Sequence, residues 1–410
     1  MKIGLLGLGT VGSGVFEILH ERRGHLEKIY GETIEISKVL VKNREKKRGI
    51  CREGDLLTTN PYEILDDESI DLVVEAIGGI EEAYDYIQYA LNKGKHVVTA
   101  NKAVVAKHID ALLTLAENNH RAFLFEASVG GGIPLIKPLK QCSLINEFTE
   151  IKGILNGTSN FILTKMMEED LDFQEALKIA QELGYAEADP KDDIEGNDVA
   201  RKLAILTTIA FQNNIRLEDV KYRGISNISR RDIKTFKKMG YSIKLIGKAI
   251  VQEKNISVLV EPVLIKNTSQ FDKVKNAYNM VLLKGNNVGE LRLYGEGAGK
   301  KATANAVVCD IIDVITDGCT KNTILREEKF KAAETKFFEG KYYIRVTEMN
   351  GDIKQEIDDL LKNKQVSYRI AEKEDFTIVT REIQGDVMED IVKKLAAYGL
   401  SFFYARIEEE

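Results

Sequence analysis

Between Glu182 and Lys202 the chain reads E-L-G-Y-A-E-A-D-P-K-D-D-I-E-G-N-D-V-A-R-K, setting Glu187, Asp189, Asp192, Asp193, Glu195 and Asp198 ahead of Lys202 on the first turns of an apolar run. From about Asn197 the residues Val199, Leu203, Leu206 and Ala210 recur at helical intervals, so Asp198 and Lys202, four apart, share one helix face. A carboxylate one turn from an ammonium holds and polarises it. The acidic residues gather near the helix's positive N-terminal end, and Gly184, Pro190 and Gly196 mark bends that let a loop fold over. The chemistry expected is a pocket that grips an ammonium group and offers one proton donor. In isolation the same stretch also reads as a solvated acidic loop followed by an ordinary helical ion pair.

A chain of 410 residues predicts two or three domains. With a net charge of −6 and no long Lys/Arg run, nucleic acid is not an expected partner. The cysteines, Cys51, Cys142, Cys309 and Cys319, lack metal-site spacing and read as reduced thiols. The chain opens directly on strand-like Lys2 to Leu6, without a cleavable signal, and no apolar run approaches membrane-spanning length. The expected setting is cytoplasmic.

Strand-like Lys2–Leu6 leads into G-L-G-T-V-G-S-G from Gly7, and Val11, Val15, Ile18 and Leu19 then give a helical stripe. Strand, glycine turn and helix in that order form a dinucleotide fingerprint. Gly7 allows the tight turn, Gly9 lets the backbone approach a pyrophosphate, and Gly12 permits close packing of helix on strand, with Leu8, Thr10 and Val11 between them. The next strand, Ile34 to Val41, ends in Lys42-Asn43-Arg44, where an NAD-selective fold usually has a carboxylate. Lys42 and Arg44 instead suit a 2′-phosphate, which leans toward NADP with NAD as the alternative. Strands at Leu72–Ala76, Val97–Ala100 and Ala122–Glu126 alternate with helices at Glu81–Asn92 and Ala103–Asn118, predicting a doubly wound parallel sheet. Gly78, Thr99 and Lys102 stand beyond its strand C-termini, where such sheets bind ligands. Lys102 reads either as a substrate contact or as a surface lysine at a helix start.

By G-I-L-N-G-T-S-N from Gly153 the sequence resembles homoserine dehydrogenase. The resemblance also covers the fingerprint, V-V-E-A-I-G-G from Val73, V-V-T-A-N-K-A from Val97, F-E-A-S-V-G-G-G-I-P from Phe125, the acidic stretch and Y-G-E-G-A-G-K from Tyr294, together spanning roughly residues 1–316. It implies reversible hydride transfer between NAD(P)H and L-aspartate 4-semialdehyde, giving L-homoserine. By the same resemblance Lys202 protonates the carbonyl oxygen with Asp198 beside it, and Lys102 lies near the reacting end. Glu187 and Asp193 would bind the substrate amino group, with Gly184 and Tyr185 lining the substrate site and Gly299 approaching the cofactor. A lysine at its ordinary pKa is a poor acid–base group near neutrality, so desolvation or Lys102 would have to lower it while Asp198 opposes. The family's monovalent cation, sodium or potassium, would fall on the Glu126 side chain and the carbonyls of Val129, Gly131 and Ile133. One departure is Ala302, where the family usually has proline; a local stability cost is expected, without loss of chemistry.

The expected plan is α/β throughout. A Rossmann-type domain at 1–133 is completed by a helix at 301–316, and an α+β substrate and dimerisation domain spans 134–300. There Asp172 and Glu175 open a helix that Gly184 stops, and strand-like Ile256–Val263, Asn279–Leu283 and Gly289–Tyr294 predict a mixed or antiparallel sheet able to pair across a homodimer. After a linker at 317–340, residues 341–410 read strand, helix, strand, strand, helix, strand, the ferredoxin-like split βαβ. The resemblance implies an ACT domain that senses an amino acid such as threonine. Yet Glu348-Met349-Asn350-Gly351-Asp352 replaces the usual Asp-x-Pro-Gly turn, leaving a packing or oligomerisation role as the other reading. Two rival functions stand. Aspartate-semialdehyde dehydrogenase needs a nucleophilic cysteine, which neither Cys51 nor Cys142 resembles. An NAD(P)-sensing regulatory protein without turnover would leave the Asp198/Lys202 pair without a task.

Overall fold

The computed structural model describes residues 1–46, 56–317, 330–332, 338–347, 351–372 and 376–409. Cys51, Cys319, most of the linker and the Glu348–Asn350 part of the tail's first turn lie outside them. The chain divides into two compact units, one comprising Met1–Asn146, Ala204–Leu217 and Leu293–Glu327, the other Glu147–Leu203, Glu218–Arg292 and Glu328–Glu410.

In the first unit β1 (Lys2–Leu6), β2 (Glu35–Leu40), β3 (Leu57–Thr58), β4 (Leu72–Glu75), β5 (His96–Thr99) and β6 (Phe123–Leu124) form a sheet in the order β3-β2-β1-β4-β5-β6. All the pairings are parallel. Strands buried on both faces must be apolar throughout, as Leu72, Val73 and Val74 are. The order reverses between β1 and β4, so a cleft opens beyond their C-termini, where ligands of doubly wound sheets bind. Helices Thr10–Tyr30 and Lys300–Asp317 contribute Val15, Leu19, Ala304, Val307 and Ile311 to one core with Ile3, Leu5 and Val74. The expected strand at Ala122–Glu126 is shorter, because a 3-10 turn takes over at Glu126–Ser128.

The second unit is built on a mixed sheet. Its strands are β7 (Phe148–Ile154), β8 (Lys221–Tyr222), β9 (Tyr241–Gln252), β10 (Asn255–Lys266), β11 (Tyr278–Gly285), β12 (Gly289–Glu296), β13 (Lys331–Ala332), β14 (Lys341–Thr347), β15 (Tyr368–Glu372), β16 (Phe376–Thr380) and β17 (Ser401–Glu408). The main path runs β12-β11-β7-β9-β10-β17-β14-β16-β15. Helices Gly351–Asn363 and Gly385–Ala397 complete the tail, whose order β17-β14-β16-β15 is that of the split βαβ. Its last strand runs parallel to β10, pairing Val263 with Arg406 and Ile265 with Glu408, so the tail extends the substrate sheet. The helix Phe173–Glu182 begins at a capping box: the Asp172 carboxylate accepts from Glu175 N–H at 2.8 Å, and Glu175 accepts from Asp172 N–H at 2.9 Å.

Candidate active site

The glycine turn after β1 is sterically obligatory. Gly7 has φ +100°, and a Cβ there would lie 2.5 Å from the Ala76 carbonyl oxygen; a Cβ on Gly12 would lie 2.1 Å from that of Gly7. Gly12 therefore lets the first helical turn close onto the glycine loop, with the Leu5 side chain of β1 3.7 Å from the same position. A Cβ at Gly9 would meet nothing within 4 Å, so the backbone there is open to a ligand. Thr10 is exposed, Leu8 and Val11 are half-buried, and Lys42 and Arg44 are exposed beyond β2. Gly299, at φ +129°, precedes the helix Lys300–Asp317.

Beneath the cleft lies a group that the sequence motifs contain but whose role their local pattern does not reveal. Glu75, at the end of β4, accepts from Ile77 N–H at 2.9 Å, Gly78 N–H at 3.3 Å and the Thr99 hydroxyl at 2.5 Å. Thr99 is fully buried with its hydroxyl turned to Glu75, so its side chain supports the site from below. Asn101 donates to Gly79 O at 2.8 Å and caps the helix Lys102–Asn118, which places half-buried Lys102 on its first turn. Burial pushes the Glu75 carboxyl up, although these donors oppose it. The signal that marks Glu75 is an acid ending an all-apolar strand just before Gly78-Gly79.

The helix Asn197–Phe211 carries, in the part that belongs to the second unit, Asp198, only 1% exposed, and Lys202, 8% exposed. The Lys202 Nζ lies 2.7 Å from Asp198 Oδ2 and donates to Leu155 O at 2.8 Å. Asn156 joins the pair to the preceding loop. Its amide donates to Asp198 Oδ2 at 2.8 Å and to Asp193 Oδ1 at 2.7 Å, while its oxygen accepts from Ser159 N–H at 2.7 Å and caps the helix Gly157–Glu169. The acidic stretch thus divides. Asp193 and Asp198 are gathered around Asn156 and Lys202, whereas Glu187, Asp189 and Asp192 are exposed, as a solvated loop predicts. Tyr185 is 44% exposed and stacks on Phe161 at 4.5 Å; its carbonyl accepts from Thr158 at 2.6 Å. Gly184, at φ +77°, turns the chain into that loop. Asn156 was missed as a functional residue, since its role depends on carboxylates 37 and 42 positions away.

The loop from Glu126 to Pro134 is anchored through its acid. Glu126 accepts from the N–H groups of Leu135, Ile136 and Lys137 at 2.6, 2.8 and 2.7 Å, capping the helix Ile136–Ser143. Its own N–H donates to Asp310 at 2.9 Å, whose carboxyl is pushed well up by burial and by Glu126. Gly130 and Gly131 have φ of +77° and +56°, shaping the turn that carries the Val129, Gly131 and Ile133 carbonyls. Among the described residues no three His, Cys, Asp or Glu side chains cluster as a metal site, and no helix is long and apolar enough to cross a membrane.

Comparison with known proteins gives a consistent result. Residues 7–126 match the family model for the homoserine dehydrogenase NAD-binding domain, and residues 134–312 match that for homoserine dehydrogenase. Homoserine dehydrogenase of Bacillus subtilis is 45% identical over 328 residues, which cover 79% of this chain and 76% of the relative. The structure of a homoserine dehydrogenase from Thiobacillus denitrificans superposes with a TM-score of 0.89 at 36% identity, covering 100% of this chain and 98% of the other. A hyperthermophilic archaeal homoserine dehydrogenase in complex with NADPH superposes with a TM-score of 0.64 at 26% identity, covering 76% of this chain and 96% of its own.

Proposed function

The chain belongs to the homoserine dehydrogenase family of NAD(P)-dependent oxidoreductases acting on a CH–OH group, and from that premise we propose how its residues divide the work. The observation that carries the proposal is the buried Lys202–Asp198 pair, fixed by Leu155 O and Asn156. When bound, the nicotinamide cofactor supplies or accepts the hydride. In reduction of L-aspartate 4-semialdehyde, Lys202 Nζ donates the proton that the carbonyl oxygen takes up; in homoserine oxidation it recovers it. Asp198 and Leu155 O orient that ammonium, and Asp193, held by Asn156, binds the substrate's ammonium. Lys102 serves the substrate's reacting end. Glu187 and Tyr185 join the site when the loop from Gly184 to Pro190 folds over substrate, because both are exposed in the open loop.

The glycine turn with Leu8, Thr10, Val11, Gly78, Thr99 and Gly299 would hold the dinucleotide, Thr99 by supporting Glu75 from below. Exposed Lys42 and Arg44 favour NADP, in line with the NADPH complex of the archaeal relative. A monovalent cation is compatible with the Glu126 loop. The donors are all oxygen, and the carboxylate, fixed by three N–H groups, retains acceptor capacity. Its role there is bracing, outside the chemical step. A cytoplasmic homodimer, paired along the largely exposed edge strand β12, completes the reading. The tail carries either an amino-acid response or a purely structural role.

NADPH oxidation by the purified protein with L-aspartate 4-semialdehyde tests the assignment, with NADH, sodium, potassium and L-threonine in parallel arms. Rapid oxidation is expected, faster with NADPH than NADH. An absence of turnover in every arm would leave a cofactor-binding sensor and defeat the catalytic reading.

A further inference from the structure

We propose that Glu408, on the last strand of the tail, is a positioning residue for the Lys202 site and acts through Lys152 on β7. The inference rests on the acid–base reading of Lys202.

The β7–β9 register sets Lys152 directly opposite Lys248. Like charges facing each other across a sheet repel, and Lys152 is buried, so this part of the substrate sheet requires an anion. Glu408 supplies it. One carboxylate oxygen pairs with Lys152; the other accepts from Arg406 at 2.8 Å and lies 3.4 Å from Lys248. Arg406 in turn donates to Glu261 of β10 at 2.7 Å, and Glu261 also accepts from Arg223 at 2.8 Å. Glu150 adds a second partner for Lys248 at 3.1 Å, and Lys152 lies 4.6 Å from the centre of the Phe271 ring. Burial opposes ionisation of Glu408, but Arg406, Lys248 and Lys152 overcome it and hold the carboxyl well below its ordinary value.

The other face of the sheet carries the catalytic helix. Side chains alternate along a strand, so the next cross-strand pair, Gly153 and Gly247, faces away from the lysines. A Cβ on Gly247 would lie 3.0 Å from Val199 and 3.3 Å from Leu203, the residues flanking Lys202 on its inner face. Three residues beyond Lys152, the Leu155 carbonyl accepts from Lys202, and Asn156 then grips Asp193 and Asp198. One short length of β7 therefore connects the tail's carboxylate to the proton donor. Losing the anion leaves buried Lys152 uncompensated opposite half-buried Lys248, just before the chain aims Leu155 O and Asn156.

Glu408→Gln tests this in the full chain. We expect kcat for aldehyde reduction to fall about tenfold, with the NADPH dissociation constant unchanged. NADPH deuterated at the transferred position should show a larger isotope effect on kcat as the chemical step slows, and Glu408→Asp should recover part of the loss. In a Lys202→Ala background the Gln substitution should add nothing, since its target is gone. If Glu408→Gln does not fold, Glu408→Asp, which keeps the charge but shortens its reach, should show a smaller loss of kcat in a cooperatively melting protein, and adding Lys152→Met, which removes the repulsion, should restore it. Wild-type kcat and isotope effect in folded Glu408→Gln, or in folded Glu408→Asp where the Gln variant does not fold, overturn the proposal, as does a loss that persists undiminished once Lys152 is removed. Wild-type turnover by Lys202→Ala would instead defeat the acid–base reading beneath it.

Discussion

The two units each bury a carboxylate, Glu75 at the end of an apolar strand and Asp198 on the first turn of a helix, but they hold it by opposite means. Glu75 accepts from two backbone amides and the Thr99 hydroxyl, whereas Asp198 faces the Lys202 ammonium as well as the Asn156 amide. Neutral donors hold a shape. An ion pair holds a proton in place and leaves it transferable. The first unit thus has a turn built around Glu75, and the second has the ion pair to which the proposal assigns the proton, the dinucleotide bringing the hydride.

The comparison breaks most directly at Lys202. Lys202→Ala should lower kcat by about 10²–10⁴-fold, the usual range for a general acid, while NADPH affinity measured by fluorescence titration stays within about threefold. A loss of affinity with kcat preserved would make Lys202 a cofactor ligand and erase the contrast. Paired isosteric changes sharpen it. Asp198→Asn should cost about tenfold to a hundredfold in kcat, because a buried ammonium loses its counter-charge. Glu75→Gln keeps an oxygen for the Ile77 and Gly78 amides and should leave kcat within about threefold. The raised Glu75 pKa means the wild-type carboxyl contributes stability fully below its unfolded value, near 4.5, and loses that contribution as pH rises through the folded value. Glu75→Gln should therefore gain stability relative to wild type as pH rises above about 4.5, read from thermal melts.

Much of this arrangement was legible from local pattern. Gly7, Gly9 and Gly12 act within one turn, and Asp198 and Lys202 lie four apart on one helix, so short-range spacing reveals both. The tail's order of elements was equally readable, because its helices are amphipathic and its strands are short runs rich in aromatic and β-branched residues. β7 and β9 were not assigned. Their buried positions include Lys152, Lys244 and Ser242, and Gly153 and Gly247 interrupt the apolar alternation. Those lysines become acceptable only through partners far along the chain, Glu408 lying 256 residues from Lys152 and Asn160 lying 84 from Lys244. Long-range charge compensation leaves no local signature. Glu187 shows the converse: the resemblance implies a place beside Asp193 on the substrate amino group, while the local pattern reads as a solvated loop, and its side chain is exposed.

Lys244 carries the contrast to its smallest measurable consequence, since it is the cationic counterpart of Glu75: a buried charge held by neutral groups. Its Nζ donates to Asn160 Oδ1 at 2.9 Å and to Val274 O at 2.5 Å. Burial, aided by Lys275 and opposed by Asp272 and Glu168, pushes its pKa down to about 7. An unfolded lysine titrates near 10.5. Between those values the unfolded chain binds a proton that the folded chain has released, so this group makes stability rise with pH, at a slope approaching about 1.4 kcal/mol per pH unit. Lys244→Met lacks the slope. The Asn160 amide still donates to Val274 O, Asn276 O and Tyr278 O, so the local fold has other anchors. Urea unfolding at pH 7.5 and 9.5 should show wild type gaining on the variant by about 2–3 kcal/mol. Parallel stability curves would mean that Lys244 keeps its proton across that range, and that its neutral oxygens support a buried ammonium as well as Asp198 does.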